Sequence, residues 1–258
     1  MTEEIILKVK NLNKTFGKKG NKVVALNDVN FDLKKNEILG IIGESGSGKS
    51  TVAKIITGLY KADGGEIFLY DEEIGKLKKS QKHKVYKKIQ MVFQDAYGSM
   101  NPRMKVGSAI KDGYCHFCKE NISKREIDDK VEELLKKVGL PSDYIYKYPY
   151  ELSGGECQRV AIARAIMVMP DILICDEATS ALDVSVQAQI VNLLLDLREE
   201  LNMSMIFITH NLPLVSCFGD NLIIMRSGEI VESGNAKEVL NSPKMDYTKN
   251  LLSSVLEV

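Results

Sequence analysis

Residues 37–59 read EILGIIGESGSGKSTVAKIITGL, and the eight at the centre, Gly43 to Ser50, decide how the rest of the chain is read. GESGSGKS satisfies the pattern G-x-x-x-x-G-K-[ST]. The nearly continuous apolar run before it fits a strand buried on both faces, and KSTVAKIITGL after it has a helical pattern. Strand, glycine-rich turn, helix is the arrangement in which backbone N–H groups turn inward around phosphate oxygens. Lys49 then adds positive charge at the β- and γ-phosphates, and Ser50 offers a hydroxyl to Mg²⁺.

Outward from that unit, strands and helices alternate. IILKV and VNFDL, within residues 5–34, and EIFLY (66–70) and IQMVF (89–93) carry β-branched and aromatic residues at strand spacing. The turn-rich GKKGN separates the first two. Ile127, Val131, Leu134, Leu135 and Val138 recur at helical spacing, with Gly139 and Pro141 as the stop. A second helix is expected from about Gly154 to Met169, then the strand ILIC (172–175). Ile190, Leu194, Leu197 and Leu201 mark a further helix, and MIFIT (205–209) and NLIIM (221–225) return as strands. Such alternation implies a mainly parallel sheet with helices on both faces. The helix-rich stretch 96–168 interrupts it as an inserted subdomain.

Composition narrows the partners. Lys+Arg and Asp+Glu number 35 each, so the formal charge is zero, which argues against duplex nucleic acid as the main partner. No stretch approaches the roughly 20 apolar residues that cross a bilayer, and MTEEIILKVK has acids where a secretory signal carries positive charge. Five cysteines form no disulfide framework. Cys115, His116 and Cys118 lack a second C-x-x-C to complete a zinc site, and the lysine run at 76–88 reads first as a solvated face.

Two further constellations carry chemistry. ILIC ends in Asp176 and Glu177, where an acid at the carboxyl end of a parallel strand can hold the Mg²⁺ hydration shell and a second can take a proton from attacking water. Asp176 is assigned to the metal and Glu177 to the general base. LSGGECQ (152–158) opens a helix with two glycines, a hydroxyl and free N–H groups, an anion site by design. The first loop already occupies the phosphates of one nucleotide, so a second site suggests a nucleotide held by another molecule. SGGE also reads as a plain helix cap, and position alone does not decide.

In this order the elements resemble the nucleotide-binding subunit of an ATP-binding cassette (ABC) transporter, over nearly the whole chain: Phe16, the phosphate loop, Gln94, LSGGE at 152–156, Asp176 and Glu177, SALD at 180–183, and His210. The resemblance implies a phosphate-loop NTPase cassette with a mainly parallel core sheet, an antiparallel β subdomain and an inserted helical subdomain. Residues 1–95 and 169–240 would form the RecA-like core with the β subdomain, 96–168 the helical signature subdomain, and 241–258 a short carboxyl-terminal helix. It implies ATP bound by Phe16 stacking on adenine and by Gly43, Glu44, Ser45, Gly46, Ser47, Gly48, Lys49, Ser50 and Thr51, with Mg²⁺ held by Ser50, Gln94 and Asp176. Ser153, Gly154, Gly155 and Glu156 would face the partner subunit's ATP in a head-to-tail sandwich. Asp183 would cross the dimer interface. Glu177, His210 and Gln94 would serve catalysis, with His210 holding the γ-phosphate and water in line; its plainer reading is a polar cap on the following helix.

FQDAYGSMNPRM (93–104), the cysteine of SGGECQRVAIARA and DYTKNLL (246–252) are similar to the peptide, opine and nickel importers, in particular the oligopeptide-permease F type. Asp246 stands where proline is common in that branch and Glu156 where glutamine is more usual. The tail to Val258 lacks the cysteines of some relatives, so no iron–sulfur cluster is expected there. The implied protein is a peripheral ATPase on the cytoplasmic face of the membrane. It would drive uptake of peptides, or of nickel or a metal chelate, with a related second ATPase subunit, two transmembrane permease subunits and a substrate-binding protein, and without nucleic acid. A soluble ABC ATPase acting on ribosomes or DNA is the alternative.

Overall fold

The computed structural model describes residues 4–17, 21–118 and 123–256; the middle of the GKKGN turn therefore lies outside the described residues. The chain opens with β1 (Ile5–Phe16), β2 (Val23–Lys34), β3 (Ile38–Ile42), α1 (Lys49–Ile56), β4 (Gly64–Leu69) and β5 (Glu72–Glu73). It continues with α2 (Lys79–Lys88), β6 (Ile89–Val92), α3 (Val106–Phe117), α4 (Lys124–Lys137), α5 (Gly154–Ile166), β7 (Ile172–Asp176) and α6 (Val184–Leu201). It closes with β8 (Ser204–Thr209), α7 (Leu212–Ser216), β9 (Asn221–Arg226), β10 (Glu229–Asn235), α8 (Ala236–Asn241) and α9 (Asp246–Leu256). Two compact units result, one of residues 1–82 with 204–258 and one of residues 83–203.

In the first unit β3 lies between β8 and β9 and runs parallel to both, Ile38 beside Met205 and Leu39 beside Asn221. All residues of β3 and β8 are buried, which explains why both read as unbroken apolar runs. β10 adds an antiparallel edge on β9. A second sheet, in the order β2, β1, β4, β5, is antiparallel throughout. The two are tied where Asn27 of β2 donates its N–H to Gly228 O at 2.9 Å and its side-chain amide to Glu229 Oε1 at 2.6 Å.

The second unit holds the parallel pair β6 and β7, with Ile89 beside Ile172, and the helices α3 to α6. Its core includes Val106, Ile110, Val131, Leu135, Val160 and Leu194. The three helices expected from periodicity are present. Ser123 starts α4 with a capping box closed by Glu126. The sequence reading missed α3, whose Gly107 and Gly113 weaken a helical pattern. Gly107 has a packing reason: a Cβ there would lie 3.0 Å from Ile145 Cβ. Met100 is 5% exposed and belongs to this core, while Met104 is half-buried. The lysine-rich run forms α2. Cys115 is exposed and Cys118 buried, and no group of three or more His, Cys, Asp or Glu is arranged to hold a metal among the described residues.

The antiparallel sheet depends on a kink in β1. Asn11 adopts φ +46° and its side-chain amide donates to Asp28 Oδ1 at 2.7 Å, while the β1–β4 register shifts between Lys10 and Asn13. Opposite the shift, Gly65 has φ +90°, and a Cβ there would meet Asn11 O at 2.3 Å. Gly65→Ala is expected to cost roughly 1–3 kcal/mol through strain at that dihedral. The readout is a lower urea midpoint with an unchanged slope.

Candidate nucleotide site

The first unit carries the glycine-rich loop at the carboxyl end of β3, where open α/β sheets bind ligands. α1 begins at Lys49 with Gly48 as its N-cap at φ +107°, a left-handed dihedral that favours glycine. A Cβ on Gly48 would also lie 2.7 Å from Ala25 O. Lys49 is only 4% exposed, and its Nζ donates to Gly43 O at 2.7 Å and Glu44 O at 2.8 Å. The loop is wrapped around its own ammonium. Ser47 Oγ is buried without a hydrogen-bond partner, an orphan a phosphate oxygen would satisfy. Ser50 and Thr51, in the first turn of α1, are both half-buried.

Phe16, at the end of β1, meets Tyr60 edge to face with centroids 5.3 Å apart, and Lys14 Nζ lies 5.2 Å from the Phe16 centroid. Asp63 clamps this end of β1 by accepting Thr15 N–H at 2.7 Å and Lys14 Nζ at 3.0 Å. Those two bonds, the backbone one first, lower its pKa. Tyr60 was not legible as a site residue: a tyrosine after a helix has no signature. His210 follows β8 and is exposed. The cap of α7 is its neighbour Asn211, whose side chain accepts Leu214 N–H at 3.2 Å, so the plain capping role read for His210 is filled by another residue.

The second unit holds Gln94, the LSGGE segment, Asp176, Glu177 and Asp183. β6 and β7 run parallel, so Gln94 and the acidic pair all lie at or just past the strands' carboxyl ends. Asp176 is 6% exposed. Glu177 follows at φ +48°, the left-handed region rare outside glycine. Gln94 Nε2 donates to Ser180 Oγ at 3.2 Å, and that hydroxyl donates to Glu177 O at 3.0 Å. Two side-chain hydrogen bonds therefore join Gln94 to the turn that carries Glu177.

Gln94 and Gly154 line one cavity of about 280 Å³ with Ala178, Leu182, Cys157 and Gln158. Gln158, 2% exposed, leaves its amide nitrogen without a partner; a glutamine inside a helix gave no sequence signal of this. Asp183 N-caps α6, accepting Val186 N–H at 3.0 Å and the Ser185 hydroxyl at 2.8 Å. These bonds hold its carboxyl below the usual range. Burial pushes the thiols of Cys157 and Cys175 up, away from reactive thiolate.

Ser153 caps α5 and Glu156 closes the box. Glu156 Oε2 accepts Ser153 N–H at 2.8 Å and its hydroxyl at 2.7 Å, and Oε1 accepts the Tyr144 hydroxyl at 2.7 Å. The Tyr144 bond foremost, then the two from Ser153, lower the Glu156 pKa from 4.5 to about 2. The plain cap is therefore present, and it is compatible with an anion site at the same helix start. The box uses the Ser153 and Glu156 N–H groups, while those of Gly154 and Gly155 fall in the first turn, where no intrahelical acceptor exists. Gly155 also permits close helix packing, since a Cβ there would lie 2.9 Å from Val186 Cγ1.

The ABC transporter family profile matches residues 26–180. The oligopeptide transport ATP-binding protein OppF of Haemophilus influenzae is 43% identical over 97% of this chain and 75% of its own length. The dipeptide transport ATP-binding protein DppF of Lactococcus lactis is 42% identical over 99% of this chain and 83% of its own. Among solved structures, the dimeric post-hydrolysis state of the ATP-binding cassette MJ0796 bound to ADP and Pi superposes with a TM-score of 0.82 at 32% identity, covering 89% of this chain and 98% of that one. CbiO1 of Clostridium perfringens, part of the cbiONQ transporter complex, superposes with a TM-score of 0.81 at 29% identity, covering 99% of this chain and all of that one.

The Tyr144 bond gives a test of the cap. Because the folded pKa of Glu156 lies below its unfolded value, its stabilising contribution is full above about pH 4.5 and is lost as pH falls toward about 2. In Tyr144→Phe the Glu156 carboxyl should titrate nearer 4.5 by NMR, and acid unfolding should begin at a higher pH. An unmoved titration would mean that the Ser153 cap alone sets the charge.

Proposed function

The chain belongs to the ABC transporter family, as an ATP-binding subunit of its oligopeptide-importer branch, and from that premise we propose that its ATPase activity drives peptide uptake through separate membrane subunits. The observation that carries the reading is the presence in one chain of two helix-start anion cradles, the Lys49 loop and the Ser153 cap. The phosphates of one nucleotide need only the first. The second then faces the ATP of another cassette subunit, and the dimeric form of the similar cassette MJ0796 supports that pairing. Names of relatives from several bacteria point to peptides as the cargo. Two permease subunits and a substrate-binding protein complete the importer, with this chain peripheral on the cytoplasmic face; no helix among the described residues is long and apolar enough to cross a membrane.

In this mechanism Phe16 stacks on adenine and Tyr60 fixes its ring plane. Residues Gly43 to Thr51 enclose the phosphates, with Lys49 drawn from its loop carbonyls toward the β- and γ-oxygens. The water oxygen bonds to the γ-phosphorus as the bond to the bridging oxygen breaks, the electron pair leaves on ADP, and the water proton passes to the Glu177 carboxylate. His210 holds water and γ-phosphate in line, and Gln94 contacts the water. The hydroxyl, amide and carboxylate oxygens of Ser50, Gln94 and Asp176 are hard donors suited to Mg²⁺, which when bound neutralises phosphate charge. Ser153, Gly154, Gly155 and Glu156 close over the partner's nucleotide, and Asp183 crosses to it while capping α6.

Coupling to the membrane follows the Gln94–Ser180–Glu177 hydrogen bonds. A permease helix that displaces the Gln94 loop disturbs the turn that aims the base. ATP shifts the transporter only by its preference for the closed dimer.

Glu177→Gln should keep ATP binding, lower turnover by roughly two orders of magnitude or more, and accumulate an ATP-dependent dimer in size-exclusion chromatography. Steady-state hydrolysis at the original rate would overturn the base assignment. Co-purification with permease subunits, followed by a peptide-stimulated ATPase assay, tests the cargo.

A further inference from the structure

The turn between β9 and β10 and the start of α9 have no role in the chemistry above, yet both lie against the phosphate loop. A Cβ on Gly43 would come within 2.2 Å of Met225 O, and Gly228 N–H donates to Ser47 O at 2.9 Å. Ser227 at φ +49° and Gly228 at φ +85° bend the turn to allow this. Arg226, beside Met225, places its guanidinium 4.9 Å from the ring centroid of Tyr247 on α9. The start of α9 is itself anchored to β10, because the Glu232 carboxylate accepts Lys244 N–H at 2.8 Å and Met245 N–H at 3.1 Å. Thr248, in the next position, is fully buried.

Tyr247 therefore has a fixed backbone and a fixed ring. Its hydroxyl is enclosed and lies against the main chain of Glu44, in a contact that falls short of full hydrogen-bond geometry. Burial and the nearby Glu44 charge push the phenol above its ordinary range, so it remains a neutral O–H at physiological pH. An enclosed hydroxyl whose hydrogen bond is incomplete is costly and uncommon, and the group it faces belongs to the phosphate loop of the proposed reading.

We propose that Tyr247 is a positioning residue for the nucleotide: when phosphate fills the loop, the Glu44 peptide closes a hydrogen bond with the Tyr247 hydroxyl, so that α9 sets the loop's affinity for ATP. Arg226 holds the ring in place and the β9–β10 turn supports the other side of the loop. The proposal rests on the reading of Gly43 to Thr51 as the ATP loop.

Tyr247→Phe removes the hydroxyl and keeps the ring. In the full chain it should raise the KM for ATP and weaken binding of trinitrophenyl-ATP by roughly threefold to tenfold, with kcat unchanged and the melting temperature of the nucleotide-free protein not lowered. Tyr247→Ala should weaken binding further by releasing Arg226. Wild-type affinity in Tyr247→Phe, or a fall in kcat at constant KM, overturns the proposal. Lys49→Ala is run alongside: wild-type nucleotide binding in that variant would overturn the underlying loop reading, whatever Tyr247 does.

Discussion

A loop that offers N–H groups to an anion must first dispose of its own carbonyls. In this protein four of them are engaged: Gly43 O and Glu44 O accept the Lys49 ammonium, Glu44 O also accepts Ser47 N–H, Ser47 O accepts Gly228 N–H, and Gly48 O accepts Thr51 and Val52 N–H. Had any of them turned inward, it would repel phosphate where attraction is needed. The demand reaches well beyond the loop. It requires a buried β3 to hold Gly43 in place, a left-handed Gly48 to start α1, and a β9–β10 turn close enough to donate to Ser47. The parallel ladder and the antiparallel edge of the first unit are the scaffold that meets those requirements.

The LSGGE segment, on the proposed reading, solves a different problem, that of placing a carboxylate inside a helix start that is to receive an anion. Glu156 does not compete with an incoming phosphate as an exposed charge would, because its carboxylate is folded back onto Ser153 and capped by Tyr144. The helix dipole favours a negative charge in the first turn, and a pKa of about 2 shows the charge fully held. Glutamine at this position could accept the same bonds on its carbonyl oxygen alone. Glutamate accepts them on two oxygens, which gives the departure from the commoner residue a local physical reason.

What the sequence disclosed, it disclosed through short spacing. GESGSGKS, LSGGE and the Asp176–Glu177 pair are each set by neighbours in the chain, and the strands around them read correctly because their burial is continuous. The interactions that tune the site were invisible, since they join positions without a repeating pattern. Tyr144 reaches Glu156 from twelve residues upstream, Tyr60 reaches Phe16 across two strands and a helix, and Tyr247 approaches Glu44 from almost the other end of the chain. β10 escaped for a related reason: EIVESGN has polar residues and glycine where a strand signal needs apolar alternation, and only its pairing with β9 makes it a strand. Asp183 was read for a role between subunits, while its cap on α6 is a role within one.

The zero net charge also takes on physical meaning from these contacts. Attraction for a polyanion does not come from surplus surface lysine, which solvent and salt would screen. In the proposed reading it comes from one ammonium that is 4% exposed and from helix starts, whose dipoles need no net charge at all. Burial strengthens their field, and the two carbonyls to which Lys49 Nζ donates fix the direction of its ammonium. On that reading, a preference for a phosphate chain seated in the loop rests on this geometry and not on composition.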